Sequence, residues 1–109
     1  MTDDSALDSE VLHLPEMVGY QEGAIVSRQI TKSDAGNVTL FAFDAGQQLS
    51  EHTTAFDALV QVLDGEAEIR VAGRGHVLKS GEAIVMPANV PHALYAPTRF
   101  KMLLTMIRP

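Results

Sequence analysis

The sequence predicts an all-β protein with the architecture of a sandwich or barrel, on three observations. From Gly23 onward, short runs of β-forming residues are separated by turns that contain Gly, Asp or Ser. Some runs alternate, so that Ala67, Ile69 and Val71 can face a core while their neighbours face water. No segment repeats every 3.6 residues over the length of a helix. Regular short strands of this kind are typical of sandwiches and barrels.

Eight such runs follow one another between residues 24 and 107. In order they are AIVSRQIT, NVTLFAF, ALVQVLD, EAEIRVA, GHVLK, AIVMP, HALYA and FKMLLTMI. Between the third and the fourth, Asp64-Gly65 predicts a two-residue hairpin, in which both turn positions take positive φ. Gly73 and Gly75 predict a second tight turn between the fourth and the fifth.

The length of the chain predicts one domain. It has 109 residues, of which 46% are hydrophobic. We assign the domain to residues 23–109 and treat residues 1–22 as an acidic N-terminal segment, partly disordered or docking on a partner subunit. The stretch 11–18 (VLHLPEMV) is mildly apolar and has no obvious place in the domain. Because so small a domain has little core relative to its surface, we expect a homodimer.

Composition and charge exclude several classes of protein. The chain has no cysteine, which excludes disulfides, iron–sulfur clusters and thiolate zinc sites. Its net charge is −6, and five of the 14 acidic residues precede residue 21, where no Lys or Arg occurs. The sequence shows no cluster of Lys and Arg that would attract a phosphate backbone, so we expect no nucleic-acid binding. No apolar run reaches the ~20 residues of a membrane span, and the N-terminus lacks a signal peptide's basic start. We expect a cytoplasmic protein.

Two spaced motifs lie in residues 46–65 (GQQLSEHTTAFDALVQVLDG) and 81–96 (GEAIVMPANVPHALYA). In the first, His52 follows a glycine after five residues, and a second glycine closes the motif. In the second, five residues separate Gly81 from Pro87, and four more separate Pro87 from His92. These motifs resemble those of the cupin superfamily, in its small single-domain form (type-2 cupin, RmlC-like). The resemblance implies a jelly-roll β-barrel, or double-stranded β-helix, over about residues 24–107.

The resemblance also implies a metal site, whose ligands are two histidines and an acid (or third histidine) of the first motif and a histidine of the second. His52 matches the first ligand and His92 the last. Thr54 stands where the second histidine belongs, and Ala58 stands at the position of the acid. Asn89 replaces a glycine of the second motif, a change that Asn tolerates because it visits positive φ. Two of the four ligands remain.

Two interpretations of the histidine pair stay open. In one, His52 and His92 hold a divalent transition metal (Fe, Mn, Ni, Zn or Cu), and water or the Thr54 hydroxyl completes its shell. In the other, the imidazoles bond to each other, to water or to Tyr95 and line a pocket without metal. A typical catalytic zinc site keeps three protein ligands, so two imidazoles hold such an ion poorly. The thioethers of Met86 and Met102 would suit copper, although methionine more often fills gaps in a core.

Strand parity predicts a pocket inside the fold, apolar except for two imidazoles and one hydroxyl. Beside the two histidines, its expected lining is Phe43, Thr54, Ala58, Val62, Met86 and Leu94. No Arg or Lys faces it, so it suits a small and mostly uncharged organic ligand.

Three functions compete. The first is a binding module for such a ligand, with a degenerate metal site and no assignable reaction. The second is a divalent-metal-dependent enzyme of the dioxygenase, isomerase or decarboxylase type. The third is metal-free acid–base chemistry by an imidazole. The loss of ligands at Thr54 and Ala58 favours the first, and the sequence does not name the ligand.

Overall fold

The structure is a computed structural model that describes residues 7–109. Besides a 3₁₀ helix, Leu14–Glu16, this range holds nine strands. They are β1 (Ile25–Ser33), β2 (Gly36–Phe43), β3 (Gln48–His52), β4 (Asp57–Asp64), β5 (Glu66–Val71), β6 (Arg74–Lys79), β7 (Ala83–Met86), β8 (His92–Tyr95) and β9 (Phe100–Ile107). The all-β prediction is confirmed. No helix in the described range is long and apolar enough to cross a membrane. Residues 1–6, for which the sequence predicts partial disorder, lie outside the described range.

The strands form two antiparallel sheets that face each other as a jelly roll. One sheet has the order β1-β2-β9-β4-β7, and the other has the order β3-β8-β5-β6. Among the described strands, no pairing joins one sheet to the other, so the predicted jelly roll is a sandwich with open edges instead of a closed barrel.

Alternate side chains of both sheets fill the space between them. Phe43 of β2 and Phe100 of β9 stack with their ring centroids 4.5 Å apart, and both are fully buried. Val60 and Val62 of β4 face Ile69 of β5 in the same core. Burial of this apolar surface, at ~25 cal/mol per Å², is the main favourable term in the folding of the domain.

The predicted hairpin at Asp64-Gly65 is wrong. Strand β4 belongs to the five-stranded sheet and β5 to the four-stranded one, so the two residues carry the chain from one sheet to the other. Gly65 takes φ +73°, and a Cβ there would overlap the carbonyl oxygen of Arg99. The glycine is needed because the backbone that leads into β9, at Arg99 and Phe100, passes close to it.

A two-residue hairpin with both turn residues at positive φ lies between β5 and β6. Val71 pairs with Arg74, and the turn residues Ala72 and Gly73 have φ of 51° and 78°. Both turn positions thus take positive φ, as in a type I′ turn, although alanine is not a residue that favours this conformation. Strand β3 is absent from the eight predicted runs. Its sequence, QLSEH, contains a single apolar residue and so gives no strand pattern.

Residues of the N-terminal segment pack on the outer face of the five-stranded sheet. Val18 is 5% exposed and lies against Leu40 and Ala42 of β2, whose side chains point away from the sandwich core. Leu14 and Tyr20 pack against the edge of this cluster. The end of the apolar stretch, from Leu14 onward, therefore covers a sheet face of its own chain, whereas Val11 is 85% exposed.

Polar contacts hold the same segment in place. The Tyr20 hydroxyl donates a hydrogen bond to Asp64, and the Lys101 ammonium donates one to the Pro15 carbonyl oxygen at 2.6 Å. The Arg99 guanidinium and the Lys101 ammonium also lie over the Tyr20 ring, 5.4 and 5.0 Å from its centroid. The division of the chain at residue 22 stays a prediction.

Candidate functional site

Four strand ends meet at one end of the sandwich, where β3 and β7 finish and β4 and β8 begin. Two hydrogen bonds tie the connecting loops together. The Asn89 amide donates to the Thr54 carbonyl oxygen at 2.7 Å, and the Ala88 amide donates to the Asp57 carboxylate at 2.8 Å. Asn89 has φ +64°, the positive φ that the second motif predicts at this position.

The two motif histidines face each other at this end. His52 closes β3, His92 opens β8, and the two are partners in the antiparallel register. Their ring centroids lie 4.3 Å apart, with the rings inclined by 67°. His92 is 3% exposed, whereas His52 lies at the surface. The pair therefore has one buried and one solvent-facing imidazole.

Both imidazoles are oriented by the same local contact, a hydrogen bond from Nδ1 to the carbonyl oxygen two residues earlier. For His52 the partner is Ser50, at 2.7 Å, and for His92 it is Val90, at 3.1 Å. A carbonyl oxygen only accepts, so Nδ1 carries the proton in each ring. The Nε2 atom of each neutral ring keeps its lone pair for a hydrogen-bond donor or a metal ion.

The surroundings of His92 favour its neutral form. Burial lowers the pKa of His92 because the charged ring would lose its hydration, and the neighbouring His52 lowers it further. The hydrogen bond to Val90 opposes this shift without cancelling it. At neutral pH the buried ring is therefore an acceptor at Nε2.

A cavity of about 320 Å³ opens between the sheets beside the histidine pair. We call it the inter-sheet cavity. Its lining comes from six strands and the loop after β3, and consists of Phe41, Leu49, His52, Thr54, Ala58, Met86, His92, Leu94, Met102, Leu104 and Met106. Eight of these eleven side chains are apolar, and the lining holds no carboxylate, ammonium or guanidinium group.

The structure places four of the six further pocket residues expected from the sequence, Thr54, Ala58, Met86 and Leu94, in this lining. Phe43 and Val62 lie outside it, because they are packed in the closed part of the core. Both side chains point inward, as strand parity requires. Parity fixes the face of a sheet that a residue occupies but not its depth along the sandwich, and these two positions lie too deep.

Five lining residues are absent from the sequence-based set: Phe41, Leu49, Met102, Leu104 and Met106. Three of them, Met102, Leu104 and Met106, stand at every second position of β9. Alternation on that strand therefore indicates that they share one face of the sheet. The pairing of β9 with β4 could not be predicted from the sequence, because the paired residues lie far apart in the chain, from Asp64 with Lys101 to Asp57 with Ile107.

A model of the cupin domain family matches residues 39–108, which is more than half of the chain. The chain belongs to the cupin family. Solved structures agree with the match. A conserved protein of unknown function from Streptococcus pyogenes, SPY1581, is 37% identical, with a TM-score of 0.87 over 93% of this chain and 89% of that one.

Two further structures resemble this cupin. A cupin 2 conserved barrel domain protein from Leptotrichia buccalis is 42% identical, with a TM-score of 0.85 over 88% of this chain, which spans 47% of that protein. A cupin superfamily protein from Desulfitobacterium hafniense is 29% identical, with a TM-score of 0.87 over 93% of both chains. A search of curated proteins found no match. The descriptions of these relatives name no reaction, so the comparisons establish family and fold.

The side chains at the site do not fit the divalent metal that cupins often hold. Within residues 7–109, no group of three His, Cys, Asp or Glu side chains is placed to hold an ion. Thr54 and Ala58 supply neither an imidazole nor a carboxylate, and the Asp57 carboxylate bonds to the Ala88 amide. Two imidazoles are fewer than the three protein ligands of a typical catalytic zinc site.

Proposed function

We propose that this cupin binds a small, mostly apolar and uncharged organic molecule in the inter-sheet cavity. The lining carries the proposal, because eight of its eleven side chains are apolar and none is a carboxylate, an ammonium or a guanidinium. A charged ligand group would lose its hydration there without meeting a counter-ion. A volume of about 320 Å³ lies at the lower end of the ~300–1,000 Å³ typical of small-molecule pockets.

The polar end of the cavity defines one further property of the ligand. Because Nδ1 of both histidines already donates to a backbone carbonyl, each ring offers the ligand an acceptor at Nε2. The Thr54 oxygen accepts a hydrogen bond from the Phe56 amide at 3.3 Å. The site therefore suits a molecule with one O–H or N–H donor at one end and an apolar body. Binding without an assigned reaction is the function that these contacts support.

A series of three probes of similar size tests the proposal. Phenol has an apolar ring and one donor, benzene lacks the donor, and benzoate adds a negative charge. We expect phenol to bind most tightly, followed by benzene and then benzoate, in titrations monitored by amide chemical shifts of isotope-labelled protein. The shifts should involve strands β3, β4, β8 and β9. Phenol should lose about tenfold in affinity when its donor is removed, as expected for a partly buried hydrogen bond.

A variant that fills the cavity supplies the control. Ala58 is 2% exposed and lines the cavity, so Ala58→Leu should remove phenol binding. Val77 is 59% exposed on β6, and Val77→Leu should leave binding unchanged. The proposal fails if benzoate binds best, or if Ala58→Leu folds and binds phenol like the parent protein.

The oligomeric state is a separate proposal. We propose a homodimer because the domain is small and has little core relative to its surface. The N-terminal apolar stretch adds no support, because its end packs on the sheet of its own chain. Sedimentation that shows only monomer at micromolar concentration would refute it. The cytoplasmic location stays a prediction.

A further inference from the structure

Two methionines flank Ala58 on the inner face of the five-stranded sheet. Ala58 of β4 pairs with Met86 of β7 on one side and with Met106 of β9 on the other. Directly paired residues of neighbouring strands point to the same face, with Cβ atoms ~4.5–5.5 Å apart. All three side chains line the inter-sheet cavity. The small Ala58 side chain therefore lies between two thioethers.

The histidine pair lies at the same end of the cavity on the opposite sheet. The β3–β4 loop, residues 53–56, joins His52 to the start of β4, where Ala58 is the second residue, and the β7–β8 loop, residues 87–91, joins Met86 to His92. The hydrogen bond between the Asn89 amide and the Thr54 carbonyl holds these two loops together. Two imidazoles from one sheet and two thioethers from the other therefore meet at one end of the cavity.

The donor atoms at this end are of one chemical kind. Three of the chain's five methionines line the cavity, together with two of its four histidines and no Asp, Glu or Cys. Thioether and imidazole ligands without a carboxylate disfavour hard divalent cations, and thioethers select monovalent copper. Each imidazole has its Nε2 lone pair free, because Nδ1 is bonded to a backbone carbonyl.

We infer that His52, His92, Met86 and Met106 bind one Cu(I) ion between the two sheets. Met102 is excluded from the set because it pairs with Val62, four residues farther along β4 than Ala58. The inference goes beyond the proposed function and does not depend on it. Phenol binding and copper binding are measured separately, and either can fail alone.

The test is an anaerobic titration of the untagged full chain with Cu(I), supplied as its acetonitrile complex in competition with the chelator bicinchoninate. We expect one tightly bound equivalent per chain. X-ray absorption of the copper complex should show both nitrogen and sulfur neighbours. The chain has no cysteine, so a sulfur signal can come only from methionine.

Methionine-to-leucine variants separate the proposed ligands from the other thioethers, because this volume-conserving change is well tolerated in cores. Met86→Leu and Met106→Leu should each weaken Cu(I) binding by about tenfold or more, as should His52→Ala and His92→Ala. Met102→Leu in the same cavity and Met17→Leu in the N-terminal segment should bind Cu(I) within about twofold of the parent protein.

Three results would overturn the inference. The first is the absence of a Cu(I) equivalent that competes with the chelator. The second is unchanged Cu(I) affinity and sulfur signal in a folded Met86→Leu/Met106→Leu double variant. The third is Zn(II) binding as tight as Cu(I) binding at the same histidines, which would show that the thioethers do not select the ion. Far-UV circular dichroism of each variant establishes that it has folded.

Discussion

The imidazoles of His52 and His92 lie edge to face with centroids 4.3 Å apart, and the backbone on each side fixes both rings through Nδ1. Only one of the two rings is buried. Two positive charges at this distance would repel each other, and the buried one would also lack hydration. The surroundings therefore favour the neutral form of His92, whose Nε2 atom is an acceptor at one end of an apolar cavity.

Protonation of His92 should destabilise the fold. The pKa of His92 is below its usual value of 6.5, chiefly through burial, so the unfolded chain binds more protons than the folded one as the pH falls below about 6.5. The stability that neutral His92 contributes to the folded state is fully present above this pH. It is lost as the pH falls through the pKa of His92 in the folded state. We expect the free energy of unfolding, measured in urea from about pH 7.5 to pH 5.5, to decrease toward acid by at most ~1.4 kcal/mol per pH unit for this one proton.

Two glutamine variants separate this effect from the titration of carboxylates. His92→Gln cannot titrate at this position, so its free energy of unfolding should depend less on pH than that of the parent protein. His52→Gln changes the exposed partner and should retain most of the dependence. Identical slopes for the parent protein and His92→Gln would show that His92 does not control this part of the pH profile.

Alternation and motif spacing were sufficient to predict the fold class and the positions of both histidines. They placed Thr54, Ala58, Met86 and Leu94 on inward faces because each strand alternates with a period of two. Neither signal determines which strands pair, so Asp64-Gly65 predicts a hairpin at the point where the chain changes sheets. The same lack of pairing information hid the two methionines beside Ala58, since their contacts arise from register across the sheet.

Gly65 should tolerate a side chain far less well than Gly73. Both glycines have positive φ, but a Cβ at Gly65 would overlap the Arg99 carbonyl oxygen, whereas one at Gly73 meets nothing within 4 Å. We expect Gly73→Ala to cost about 1–2 kcal/mol from backbone conformation alone. Gly65→Ala should cost at least about 1 kcal/mol more, because the crossing between the sheets must shift. Equal losses in urea unfolding would contradict the role assigned to the Arg99 contact.

Ala72 is a position at which the protein can be stabilised. It has φ +51° in the first position of the type I′ turn between β5 and β6, where asparagine is favoured and alanine is strained. Ala72→Asn creates an Asn-Gly turn and should raise the free energy of unfolding by about 0.5–1 kcal/mol. Ala35→Asn, in the β1–β2 turn at a position without positive φ, is the matched control and should have a smaller effect. A loss of stability in Ala72→Asn would show that the turn is not of this type.

The site should accept a divalent ion once the two missing ligands are restored. Thr54 and Ala58 line the cavity with the histidine pair, so Thr54→His/Ala58→Glu adds an imidazole and a carboxylate where the family places them. Without metal, the double variant should melt several degrees lower, because position 58 is 2% exposed and a buried carboxylate is costly. Mn(II) or Zn(II) should reverse the loss, by about 2.7 kcal/mol at a hundredfold excess over Kd. The control variant Thr54→His/Ala58→Gln lacks the carboxylate charge, so metal should stabilise it much less. Equal stabilisation of the two variants by metal, or none in either, would show that these positions do not converge on one ion.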